Sequence, residues 1–222
     1  MSSADVRWTL TQRQVDTANP MTERANDAAR RRYEELYRRS LDDAEAFWLE
    51  AAGRLDWTTP PDRALELREP PTFAWYPGGR TNLSTNALDR HVDAGGGDTT
   101  ALIALDERGG RRSLTYGELL DEVERVAAGL RGLGVAKGDR VTIYMPTSAE
   151  AIVAMLASVR IGAIHCVVFA GFGAGALGDR IRASGSRLVL TADVTYRKGK
   201  DIDLLAIVDD ALAADHGLSA SG

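Results

Sequence analysis

Gly138–Phe172 reads GDRVTIYMPTSAEAIVAMLASVRIGAIHCVVFAGF, and this stretch decides the fold. Arg140–Met145 is a β-branched, apolar run stopped by Pro146, which predicts a strand. Ala149–Arg160 is apolar and free of breakers up to Gly162, which predicts a helix. Ile164–Phe169 is again a near-continuous apolar strand. Downstream, Ala174–Ala183 predicts a helix, Arg187–Thr191 (RLVLT) a strand and Ile202–Ala214 a helix. The order is βαβαβα with strands apolar on both faces, the signature of a parallel sheet covered by helices. The last strand is then expected to leave an unpaired edge and an uncovered face, a risk for solubility and for self-association.

Upstream of this unit, Thr99–Leu105 and Arg112–Thr115 flank a turn at Gly109-Gly110 and predict a hairpin. Thr115-Tyr116-Gly117-Glu118 has the spacing of a capping box. Apolar residues at 119, 120, 123, 126, 127, 130 and 133 then mark one buried helical face, ended by Gly134. Ser84 is expected to cap a helix running to about Val92.

The first 80 residues differ. Residues 1–20 are polar and irregular. Met21–Ser40 reads as an exposed charged helix, and Ser40 with Asp43 as a second capping box. That box opens a helix carrying Phe47, Trp48 and Ala51 on one face. Pro60, Pro61, Pro70, Pro71 and Pro77 then forbid a helix or a central strand. Trp57, Phe73, Trp75 and Tyr76 lie among them, which fits an extended segment pinned to a larger body. The fold class is therefore α/β: an N-terminal helical and proline-rich extension (1–80), then a partial covered parallel sheet (81–222).

Composition narrows the function. The 222 residues are 44% hydrophobic and 27% charged with net charge −5, an ordinary globular profile that disfavours a nucleic-acid binder. No apolar run is long enough for a membrane span, and MSSADVRWTLTQRQ is not a secretory signal. The lone Cys166 sits in IHCVVF as a small buried hydrophobe, compatible with a cytoplasmic setting. Three histidines and one cysteine form no metal-ligand set. His165, inside an apolar strand, reads as a satisfied core histidine. Asp89-Arg90-His91 are helical neighbours that cannot face one another, so they are read as packing and ion-pair residues.

Ligands of open α/β sheets bind beyond the carboxyl ends of the strands, so the loops there matter most. Gly173–Gly178 is a literal G-x-G-x-x-G with Asp193 about twenty residues on, as in dinucleotide sites. It follows a second rather than a first strand, and a helix start rich in small packing residues explains it as well. In the loop after the third strand, Arg197, Lys198 and Lys200 surround Gly199. Such a cluster suits a phosphate, or it is a solvated charged turn.

Several stretches resemble the N-terminal part of AMP-forming acyl-CoA synthetases of the acetyl-/propionyl-CoA synthetase type, members of the adenylate-forming superfamily. They are FWLEAAGRLDW; Gly79–His91 (GRTNLSTNALDRH); LTYGEL; GDRV with IYMP; MLA followed by RIGAIH; and FAGF at Phe169–Phe172. The resemblance implies an α/β domain that binds a short-chain carboxylic acid and ATP with Mg²⁺, forms an acyl-adenylate and passes the acyl group to CoA. Residue by residue, it implies that Gly171 lines the pantetheine tunnel and that Arg197 and Lys200 meet the 3′-phosphate of CoA. Ala170 departs from the family's glycine, and Lys200 from the arginine usual in acetyl-CoA synthetases, a change closer to the propionyl branch. The family's Ser/Thr/Gly-rich ATP loop has no counterpart in the 222 residues, nor do its acyl pocket and catalytic lysine, so no catalytic residue is assigned and the chain by itself is expected to be inactive. A non-catalytic CoA- or nucleotide-binding module is the alternative, and a dinucleotide-binding domain a weaker one.

Overall fold

The structure, a computed structural model, describes residues 20–214. The irregular start expected for residues 1–20 lies, apart from Pro20, outside the described residues. Contacts divide the described residues into two compact units, one of residues 20–54 with 61–78, the other of 55–60 with 79–214.

The first unit holds helices α1 (Pro20–Asp42) and α2 (Ala44–Ala52) and strands β1 (Leu65–Leu67) and β2 (Phe73–Trp75). The cap between the helices is not Ser40, as its spacing suggested, but Asp43, whose carboxylate accepts from Ala46 N at 3.0 Å. The Ser40 hydroxyl donates instead to Tyr37 O at 2.7 Å. This in-helix bond leaves α1 unbroken and the equally good cap three residues later in charge. Around Pro70 and Pro71, which lie in its loop, the chain forms a short antiparallel hairpin, Leu65 opposite Trp75 and Leu67 opposite Phe73, that the prolines had hidden. Its anchor is α2: Trp75 meets Trp48 edge-on at 5.6 Å, and Tyr76 Oη donates to Trp48 O at 3.1 Å.

The second unit begins with wide, π-type helical turns over Thr85–Asp89 and Val92–Gly96. Ser84 is already helical and makes no capping bond. Asn82 does that work: its Oδ1 accepts from Ser84 N at 2.8 Å, and its Nδ2 donates to the carbonyls of Val159 and Arg160, both at 3.1 Å. One carboxamide thus serves two helix ends, which an asparagine can do because it carries both donor and acceptor.

Strands β3 (Thr100–Leu105) and β4 (Arg111–Thr115) pair antiparallel as expected. Helix α3 (Tyr116–Gly132) opens on the expected capping box, with both reciprocal bonds present, and Gly134 follows its end at φ 81°. Then come β5 (Arg140–Tyr144), α4 (Ala149–Arg160), β6 (Ile164–Val167), α5 (Ala174–Ser184) and β7 (Leu188–Thr191). The three strands form one parallel sheet in the order β6-β5-β7. Val141 and Ile143 of β5 point into a core with Leu119, Val123, Leu130, Val153 and Ala157 of α3 and α4. Alternation sends Tyr144 to the other face, among Val168, Leu177 and Ile181.

Both outer strands are sheet edges. The exposed apolar side chains lie on β6, at Ile164 and Val167, whereas those of the last strand are all half-buried. After β7 the expected loop is instead a third hairpin, β8 (Val194–Arg197) with β9 (Lys200–Asp203), before α6 (Leu204–Ala213) packs on α5. No helix among the described residues is long and apolar enough to cross a membrane.

Candidate functional site

A cleft of about 520 Å³ opens at the carboxyl ends of the parallel strands. Its floor and walls include Leu105 at the end of β3, Met145 and Pro146 after β5, Phe169 and Ala170 after β6, and Arg197 of the β8–β9 hairpin. Each comes from a different connection, as expected where an open sheet presents its loops to a ligand.

The loop after β6 is fixed from below. Tyr144, fully buried, donates its hydroxyl to Phe172 O at 2.6 Å, and burial raises the pKa of that phenol. Phe172 N closes a turn onto Phe169 O at 3.0 Å, and the two rings meet edge-to-face at 5.9 Å. Gly171 sits between them. A Cβ there would strike the Arg197 guanidinium and lie 2.5 Å from a carbon of the Phe169 ring. The missing side chain is what lets Arg197 lie over Phe169, its guanidinium carbon 4.6 Å from the ring centre. The methyl of Ala170 does not crowd this spot: Ala170 is buried with Tyr144, Val168 and Leu177.

Arg197 and Lys200 are cross-strand partners, joined by the two-residue turn Lys198-Gly199 with φ of 50° and 79°. Positive φ at both positions is the geometry of a tight hairpin turn and is unusual for lysine. Among the described residues no carboxylate lies within 4.0 Å of either the Arg197 or the Lys200 cation. By contrast Arg108, at the β3–β4 turn, is ion-paired with Asp201 and lies over the Tyr196 ring at 4.3 Å. Glu107 accepts from Lys198 N at 3.0 Å. Thus Gly171, Arg197 and Lys200 are gathered at one end of the sheet. Glu107, Arg108 and Asp201 escaped sequence reasoning, because contacts spanning more than ninety residues leave no local pattern.

The glycine run has a packing role in part. Gly178 is where α5 meets α6, a Cβ there lying 3.4 Å from Ala211 O, while Gly173 and Gly175 face open space.

His165 differs from expectation. It is half-buried, its Nδ1 is buried without a hydrogen-bond partner, and its cross-strand neighbour is the apolar Val141. Burial lowers its pKa. The unfolded chain, with a histidine pKa of about 6.5, therefore binds a proton that the folded chain resists, and stability falls as pH drops below that value. We expect urea midpoints to decline between pH 7.5 and 5.5, and His165→Leu to flatten that decline. An equally steep decline in the variant contradicts this.

Asp89 and Arg90 behave as read. Asp89 takes Arg160 in two bonds of 2.8 and 2.9 Å, and Arg90 lies 3.7 Å from Asp56. The His91 ring lies tilted against Tyr116, their centres 4.6 Å apart.

Comparison with known proteins identifies the family. Residues 88–219 match the family model for the AMP-binding enzyme, and residues 33–87 that for the acetyl-coenzyme A synthetase N-terminus. Acetyl-coenzyme A synthetase of Streptomyces avermitilis is 47% identical over 184 residues, 83% of this chain and 28% of the relative. That of Deinococcus radiodurans is 49% identical over 183 residues, 82% of this chain and 28% of the relative. That of Thiobacillus denitrificans is 45% identical over 212 residues, 95% of this chain and 32% of the relative. The chain spans about a third or less of the length of these relatives. With one model covering more than half of its length and the other lying directly before it, the chain belongs to the AMP-binding enzyme family and corresponds to the N-terminal region of acetyl-coenzyme A synthetases.

Proposed function

We propose that this chain supplies the coenzyme A-facing part of an AMP-forming ligase that joins acetate, propionate or a similar short-chain acid to CoA. The observation that carries the proposal is the pair Arg197 and Lys200 at the strand ends, with Arg197 laid over Phe169 in the space left by Gly171. Two cations without an acidic partner among the described residues suit a phosphate dianion: arginine offers a planar fork, lysine a point charge. The adjoining apolar surface at Met145 and Phe169 suits an uncharged arm such as pantetheine. In this reading residues 1–80 are an extension and residues 81–222 the first part of the large α/β domain, and the reaction belongs to the cytoplasm.

Acid activation with ATP would proceed through an acyl-adenylate, with Mg²⁺ supplying charge neutralisation on the phosphates. Among the described residues no group of three or more His, Cys, Asp or Glu is placed to hold a metal ion. In this reading the chain's own residues bind the coenzyme's phosphate and orient its arm along the cleft.

Calorimetric titration with CoA and with 3′-dephospho-CoA tests the reading. We expect CoA to bind about tenfold or more tightly, the scale of one or two charge-assisted hydrogen bonds. Equal affinities would remove the phosphate role of Arg197 and Lys200.

A further inference from the structure

The hairpin that carries the two cations is short and lies outside the three-stranded sheet, and it has a lysine in the left-handed region at its tip. Such a hairpin is marginal by itself. It is gripped, however, by two consecutive residues of another turn. Glu107 Oε2 accepts the backbone N–H of Lys198 at 3.0 Å, the strained position itself. Arg108 lies over the ring of Tyr196 at 4.3 Å and pairs with the Asp201 carboxylate. Tyr196 and Asp201 are cross-strand partners, so Arg108 holds both strands at once, one register step from the Arg197 and Lys200 pair.

The gripping turn is itself pre-shaped. Asp106 Oδ1 accepts from Arg108 N and from Gly110 N, both at 2.8 Å. A Cβ on Gly110 would overlap the Asp106 carboxylate, and Gly109 takes φ 84°.

We propose that Glu107 and Arg108 are positioning residues: they brace the β8–β9 hairpin and thereby set Arg197 and Lys200 at the spacing a ribose phosphate requires. This deepens the CoA reading and rests on it for the identity of the ligand. Because the Arg108 and Asp201 side chains keep 58% and 62% of their surface exposed, the brace contributes little to global stability. Its effect is local: removing it frees the hairpin while the sheet stays folded.

Glu107 gives the discriminating test, because two explanations predict opposite signs. As a mere charge near the site, loss of this carboxylate would strengthen binding of anionic CoA. As a brace, its loss weakens binding. We expect Glu107→Ala and Arg108→Ala each to raise the CoA dissociation constant about tenfold, with that for 3′-dephospho-CoA nearly unchanged, and Arg108→Lys to recover most of the loss. In the ligand-free chain, amide exchange across residues 194–203 should accelerate in Glu107→Ala while β5 amides hold their protection. Unchanged hairpin exchange, or CoA bound as well or better by Glu107→Ala, overturns the brace. Failure of the unsubstituted chain to distinguish the two coenzymes would instead sink the CoA reading, and hairpin exchange would still decide whether the brace exists.

Discussion

Replacing Gly171 by alanine is expected to weaken CoA binding about tenfold while lowering the melting temperature by no more than about 4 °C. The backbone at Gly171 lies outside the left-handed region, so an added methyl strains no dihedral. The methyl meets two neighbours instead. One is the end of the Arg197 side chain, which is flexible and can swing away; the other is the Phe169 ring, held edge-on by Phe172. Relief of both contacts swings Arg197 off Phe169 and turns the exposed Phe169 ring away from the methyl. That forfeits a cation–π contact worth about 0.5–1 kcal/mol at such a site, too little to unfold the chain. It also forfeits the guanidinium's alignment, and a charge-assisted bond to phosphate is worth roughly 1.5–3 kcal/mol. The loss should therefore appear in affinity for CoA and hardly in stability. Paired titration and thermal melts measure both. A large drop in melting temperature with CoA affinity retained would reverse the assignment and make Gly171 a folding residue.

Arg160→Met carries the largest expected stability effect. The methionine keeps most of the stem's packing but removes the fork that binds Asp89 twice and Glu124 Oε1 at 2.7 Å. Arg160 and Asp89 retain only 19% and 24% of their side-chain exposure, so Asp89 would be left half-hidden without its counter-charge. We expect a loss of about 2–3 kcal/mol, or roughly 4–12 °C in melting temperature for a chain of this length. The acid limb should change as well. The hydrogen bonds and charge of Arg160 hold the Asp89 pKa below its usual value. A depressed carboxylate adds stability above its unfolded pKa of about 3.9, and that stability is lost as pH falls through the lower folded value. Arg160→Met should therefore lose less than the parent chain on acidification below about pH 4. Denaturant midpoints at pH 7 and pH 3 test this; parallel losses in the two proteins would contradict it.

What the sequence discloses and what it hides have physical causes. The parallel sheet was legible because β5 is buried on both faces and reads as a β-branched, largely apolar run, and because α3 shows its buried stripe at helical spacing. The capping box at Thr115 and the end at Gly134 are local chemistry, fixed by residues within a turn of each other. The β8–β9 hairpin was missed because four-residue strands with charged ends carry almost no periodicity, and because Lys-Gly is a rare choice where both turn residues take positive φ. The Asn82 cap was missed because Ser84, two residues later, offered the more usual signal.

At the site, the Gly171, Arg197 and Lys200 assignments came from resemblance to a family, not from spacing. Their juxtaposition depends on a sheet that brings together residues about thirty apart in the chain. Tyr144 lies 28 residues from the Phe172 carbonyl that it holds, and the contacts of the Glu107–Arg108 brace span more than ninety, both beyond any local rule.

A crystal structure of this chain with CoA bound asks the central question most directly. The account predicts the 3′-phosphate oxygens within about 3 Å of the Arg197 guanidinium and the Lys200 ammonium, with the pantetheine arm passing Gly171. A phosphate seated elsewhere on the chain, with those two cations still facing solvent, would contradict it.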